Sequence, residues 1–113
     1  METKQAIQAL SALAQESRLA IFRLLVQAGP QGMAAGAIGE ALDIPAATLS
    51  FHLAGLARAG LARSRQEGRF IFYSADFAAT NALVGYLTEN CCCIQTCDQG
   101  DSDEALPRTR RRA

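Results

Sequence analysis

The sequence predicts a mainly helical domain with one β-hairpin, in the order α-α-α-α-β-β-α. Three observations carry this. Apolar residues recur at helical spacing over four stretches between residues 3 and 59. Two short runs, 61–65 and 70–75, then flank a glycine-containing loop. A last helical stretch follows, and it ends in a run of cysteines.

The first helix is expected over 3–14, with Ile7, Leu10 and Leu13 on one side and alanine at several other positions. The second is expected to start near Ser17 as its N-cap. It carries Leu19, Ile21, Phe22, Leu24, Leu25 and Val26, an apolar load that suits a central buried helix. Gly29-Pro30-Gln31-Gly32 ends it. A short helix is expected over 34–42, with Ile38, Ala41 and Leu42 inward, followed by the turn Asp43-Ile44-Pro45. Pro45 suits the first helical position of the next helix, where its missing N–H costs nothing. That helix, 46–59, places Leu49, Leu53 and Leu56 on one stripe, leaves Thr48, Ser50 and His52 off it, and is stopped by Gly60.

Strands are expected at Leu61–Arg65 and Phe70–Ala75, joined by Gln66-Glu67-Gly68-Arg69. The last helix is expected from Asp76 to Cys92, with Phe77, Leu83, Val84, Tyr86 and Leu87 as its large apolar residues. From Asp98 the chain is polar, with an acidic patch and then Arg108, Arg110, Arg111 and Arg112. This composition predicts one domain over 1–95 and a flexible tail over 96–113 that includes Cys97. There are no internal repeats.

At 113 residues the chain is one domain at most, and half of it is apolar. That makes a thin core for a monomer of this size, and an apolar helix face shared with a second copy would relieve the shortage. No run reaches transmembrane length and the N-terminus has no apolar signal core, so a cytoplasmic protein with no membrane partner is expected.

Net charge is zero, which argues against a uniformly basic nucleic-acid binder. Its distribution is more informative. Between 45 and 75 the basic residues are Arg58, Arg63, Arg65 and Arg69, against Glu67 alone. A local positive excess is the footprint of a DNA-binding face, although ordinary solvated arginines would look the same.

Two short helices joined by a tight turn and followed by a hairpin make a winged helix-turn-helix. The second helix of the pair would enter the major groove, with residues near its N-terminus reaching base edges. These are Ala46, Ala47, Thr48 and Ser50, with His52 further along. Hydroxyl and methyl contacts are expected from such short side chains. Arg63, Arg65 and Arg69 of the hairpin would lie over phosphates or in the minor groove. Taken alone, His52 is weak evidence, since a lone helical histidine is more often a surface or packing residue. The order of elements is stronger evidence.

The residues that follow carry a resemblance. Leu13-Ala14-Gln15-Glu16-Ser17-Arg18-Leu19, Ala47-Thr48-Leu49-Ser50-Phe51-His52-Leu53, Ala59-Gly60-Leu61 and Arg65-Gln66-Glu67-Gly68-Arg69-Phe70-Ile71-Phe72-Tyr73 occur in this order. They resemble the second helix, recognition helix and wing of the ArsR/SmtB metalloregulators, over roughly residues 5–97. The resemblance implies a homodimeric repressor of double-stranded operator DNA, paired through its first and last helices and released by metal.

Two sites of that family are missing. The Cys-x-Cys motif of the best-known arsenic sensors falls on Ala34-Ala35-Gly36-Ala37-Ile38-Gly39, which has no thiol. The zinc sensors use Asp and His on the last helix. Asp76 is present, but the one histidine is His52.

All four cysteines, Cys91, Cys92, Cys93 and Cys97, lie in one segment. Thiolates are soft ligands and select thiophilic ions. In a reducing compartment clustered cysteines are more often ligands or redox sensors than a disulfide frame. Thr88-Glu89-Asn90-Cys91-Cys92 with a later cysteine is similar to an arsenite-responsive branch of the family. There the ligands resemble an adjacent pair plus one downstream thiol. This implies Cys91, Cys92 and Cys97 as ligands of arsenic(III), with antimonite as a second inducer. Cys93 is extra and leaves the choice of three open. Neighbouring helical residues point about 100° apart, so the thiols would converge where the helix frays. Arsenic(III) takes three thiolates in a pyramid, whereas zinc takes a tetrahedron of four ligands.

Other readings are a redox-sensing repressor, a zinc- or cadmium-sensing repressor, a structural zinc module and a thiol enzyme. Glu89 and Asp98 flank the cluster with no Lys or Arg nearby, which does not favour a reactive thiolate. An enzyme of this kind would want Cys-x-x-Cys at a helix start, so no enzymatic activity is expected.

Overall fold

The computed structural model describes residues 1–94. Cys97 and the tail, including its four arginines, lie outside the described residues. The elements run α1 (Thr3–Leu13), α2 (Glu16–Ala28), β1 (Met33–Ala34), α3 (Ala35–Leu42), α4 (Ala46–Arg58), β2 (Ala62–Glu67), β3 (Phe70–Ala75) and α5 (Phe77–Leu87). The helices surround a core of Ile21, Leu25, Ile38, Leu53, Leu56 and Leu61, and a three-stranded antiparallel sheet in the order β1-β3-β2 closes one side.

α1 starts where the Glu2 N–H donates to Gln5 Oε1 at 2.9 Å, half of a capping box. Its buried face is Ala6, Ala9 and Ala12. The larger Ile7 and Leu10 remain 58% and 42% exposed. Small side chains on the inner face bring α1 onto α2, α4 and α5 and turn the bulky stripe outward.

The N-cap of α2 is Gln15 rather than Ser17. The Gln15 side chain accepts from the Arg18 N–H at 2.9 Å, so Ser17 lies inside the first turn. Ile21, Phe22 and Leu25 are buried, but Leu19 and Val26 are exposed, so only one side of α2 is enclosed. β1 is an element the sequence does not predict. Met33 pairs with Tyr73 and Ala34 with Phe72, so Ala34 belongs to a strand and the helix begins at Ala35. Within α3, Ile38 is buried and Leu42 half-buried, but Ala41 faces out.

Leu49, Leu53 and Leu56 anchor α4 as expected, and Pro45 is its N-cap, one position before the first helical residue. The hairpin is tighter than the four-residue loop expected. Strand pairing continues to Glu67↔Phe70, leaving only Gly68 and Arg69 in the turn. Gly68 has φ 62, which suits the first central position of a two-residue hairpin turn.

Asp76 caps α5 by accepting from the Ala79 N–H at 3.0 Å. The helix ends at Leu87, four residues before the cysteines, and not at Cys92. The Thr88 hydroxyl donates back to the Val84 carbonyl at 2.9 Å, and Asn90 and Cys92 then take left-handed conformations with φ 60 and 69. Such residues cannot continue a right-handed helix.

Candidate nucleic-acid interface and cysteine cluster

The stripe Leu49, His52, Leu53, Leu56 holds α4 against the core. The opposite arc is exposed and runs Ala47, Ser50, Phe51, Ala54 and Arg58, with Thr48 at its edge near the N-terminus. Ala47, Thr48 and Ser50 are therefore where the sequence places them. His52 is not, because it is only 8% exposed and sits with the leucines. Its spacing from Leu49 and Leu56, i+3 and i−4, puts it on the buried stripe. The buried Nδ1 of His52 has no hydrogen-bond partner among the described residues. In this conformation the His52 ring packs with the leucine stripe and does not stand on the outer arc.

Phe51 takes the outward position instead and is 61% exposed. The sequence reading missed it, although its spacing from Ala47 and Ala54 marks the outer arc. The Arg18 guanidinium lies 5.5 Å from the Phe51 ring centroid, within cation–π range. Arg18 can lie there because residue 55 is glycine; a Cβ on Gly55 would stand 3.0 Å from the guanidinium carbon.

On β2, alternation places Arg63, Arg65 and Glu67 on one face, opposite Ser74, Phe72 and Phe70 of β3. The other face carries Ala62, Tyr73 and Ala75, which belong to the core or pack against it. The arginines therefore stand on the outer face of the hairpin. Arg65 is engaged locally. Its Nε donates to Glu67 Oε2 at 2.7 Å, and its guanidinium lies 5.0 Å from the Phe72 centroid. Arg63 and Arg69 are exposed, with no ion pair among the described residues, and carry the net positive charge of the hairpin.

Beyond α5 the chain makes two successive turns. The Cys91 N–H donates to the Thr88 carbonyl at 3.0 Å, and the Cys93 N–H to the Asn90 carbonyl at 3.1 Å. Cys91, Cys92 and Cys93 are all exposed, and the Sγ atoms of Cys91 and Cys92 approach to 3.0 Å. The left-handed turn at Cys92 accompanies this close approach of two thiols. Among the described residues no three His, Cys, Asp or Glu side chains gather closely enough to hold a metal ion. Two thiols of the expected set are adjacent, and the third, Cys97, lies outside the described residues.

Comparison with known proteins agrees with this architecture. Residues 13–65 match the family model for a helix-turn-helix domain. The transcriptional activator HlyU of Vibrio cholerae is 31% identical over 83 residues, 74% of each chain. Its solved structure superposes with a TM-score of 0.64, covering 81% of this chain and 99% of that one. A homodimeric winged helix-turn-helix DNA-binding domain from Mycobacterium bovis, a possible ArsR-family transcriptional regulator, is 32% identical. Its TM-score is 0.62, with 77% of this chain and 81% of that chain covered. These relatives are regulators, not enzymes. Among the described residues no helix is long and apolar enough to cross a membrane. The chain belongs to the winged helix-turn-helix, ArsR-type family of DNA-binding transcriptional regulators.

Proposed function

We propose that this chain is a cytoplasmic, homodimeric repressor that leaves its operator when arsenite, or antimonite, binds its cysteine cluster. The observation that carries the reading is the 3.0 Å approach of the Cys91 and Cys92 sulfurs on an exposed turn that follows α5. Two soft ligands held this close fit two of the three thiolate positions around a pyramidal arsenic(III). Cys97 or Cys93 supplies the third.

Dimerisation is supported by uncovered apolar surface. Ile7 and Leu10 on α1, and Val84 and Leu87 on α5, are all exposed, and the two helices touch. The M. bovis relative is homodimeric. Drawing thiols together at the end of α5 would alter how α5 meets its mate and so change the spacing of the two recognition helices. Half-sites on DNA lie about 34–36 Å apart, so a small rotation loses contacts.

The test is fluorescence anisotropy of the reduced protein on a labelled fragment of its own upstream promoter, titrated with arsenite and in parallel with zinc. Release by arsenite at about one equivalent per subunit, with zinc inert, is the expected result. DNA binding that ignores arsenite contradicts the reading.

A second reading uses the same sulfur pair. An oxidant of the peroxide class could join Cys91 and Cys92 in a disulfide, with loss of two protons and two electrons. The 3.0 Å separation favours this. Release by peroxide but not by arsenite would select it.

A further inference from the structure

We propose that Phe51 is a specificity-determining residue that reads a thymine methyl in each operator half-site. The inference rests on the reading that α4 enters the major groove, and it goes beyond that reading by assigning a base to one side chain.

Phe51 occupies the middle of the outer arc Ala47, Ser50, Phe51, Ala54, Arg58 and is the one large apolar side chain on it. At 61% exposure it contributes little to the core, whose share of α4 is Leu49, Leu53 and Leu56. The other residues of the arc near the helix N-terminus are alanines and short hydroxyls, so the ring projects furthest toward a bound duplex. A phenyl ring can neither donate nor accept a hydrogen bond, and so cannot hold a phosphate or pair with a polar base edge. In the major groove the apolar feature it matches is the C5 methyl of thymine.

The ring is also held in place. Arg18 covers it at 5.5 Å, and the His52 ring meets it edge-on at 5.7 Å and 63°. His52 is itself buried, and Arg18 lies against the helix where Gly55 leaves room. A ring anchored from two sides meets a methyl group without first losing rotamer freedom. Arg18 is a positioning residue in this arrangement.

Deoxyuridine differs from thymidine only by the missing methyl and keeps every hydrogen-bonding group. The full-length dimer is used to select duplexes from a randomised library, and each thymine of the selected site is then replaced by deoxyuridine. At one position per half-site the replacement is expected to weaken binding about fourfold per half-site, the worth of one buried methyl. F51A is expected to bind the thymine and uracil duplexes equally, and 5-methylcytosine is expected to bind the native protein better than cytosine there. The native protein reports the effect even if the variant folds poorly. Equal binding of every uracil duplex by the native protein would overturn the assignment while leaving DNA binding intact. Failure to select any duplex would overturn the groove-binding reading, and the assignment with it, before any thymine is replaced.

Discussion

The hydroxyls of Thr3 and Tyr86 meet at 2.6 Å and tie the first helix to the last across 83 residues of sequence. The contact is exposed, so water competes for both groups and its net worth is small. Tyr86→Phe is expected to lower stability by about 0.5–1 kcal/mol in urea unfolding, with DNA affinity nearly unchanged. A loss of several kcal/mol would mean that Tyr86 holds more than this hydroxyl pair.

The same two helices carry the proposed dimer surface. Val84 and Leu87 are each 57% exposed, so neither is needed to fold the monomer. Leu87→Glu is expected to leave the circular dichroism spectrum unchanged. In sedimentation it is expected to convert the dimer to monomer, and DNA affinity should fall at least tenfold because two half-sites are no longer read together. A variant that remains dimeric would move the interface elsewhere.

Two glycines separate backbone strain from side-chain displacement. Gly32 has φ 76, and a Cβ there would overlap the carbonyl of Tyr73, inside the β1–β3 pairing. Gly32→Ala is expected to cost about 2 kcal/mol or more, since neither the strand nor the left-handed backbone can give way. Gly55→Ala places a Cβ whose nearest atoms are those of the Arg18 guanidinium, and alanine gains about 1 kcal/mol in helix propensity. Its stability in urea is expected to stay within about 1 kcal/mol of the native chain. Its discrimination between thymine and uracil duplexes is expected to shrink because Arg18 moves off Phe51.

How far the sequence foretold this architecture depends on how strong each pattern is. Leu49, Leu53 and Leu56 share one stripe, and all three are buried. Gly68 marks the hairpin, although the strands run closer to it than its flanking residues suggest. α1 was harder to orient. Ala6, Ala9 and Ala12 repeat with the same period as Ile7, Leu10 and Leu13, and close packing selects the smaller set. β1 has two residues, too few for any period, and is defined by its partner strand. The end of α5 was hidden because Thr88, Glu89 and Asn90 are all admissible in a helix, and the left-handed Asn90 is a property of the turn. At the site, His52 and Phe51 differ by one step along α4. That step of about 100° exchanges a buried ring for an exposed one. The pairing of Arg65 with Glu67 was legible in principle, since residues two apart on a strand share a face.

Arsenite sensing by the sulfur pair is put to the test by arsenite-driven release from labelled promoter DNA, with the native protein set against Cys91→Ser. Both are expected to bind the fragment with similar affinity, because Cys91 is exposed and remote in sequence from α4 and the hairpin. The native protein is expected to dissociate at about one arsenite per subunit, while Cys91→Ser stays bound, having lost one of the thiolates that select the ion. Release of Cys91→Ser at the native arsenite concentration would exclude Cys91 as a ligand of the inducer.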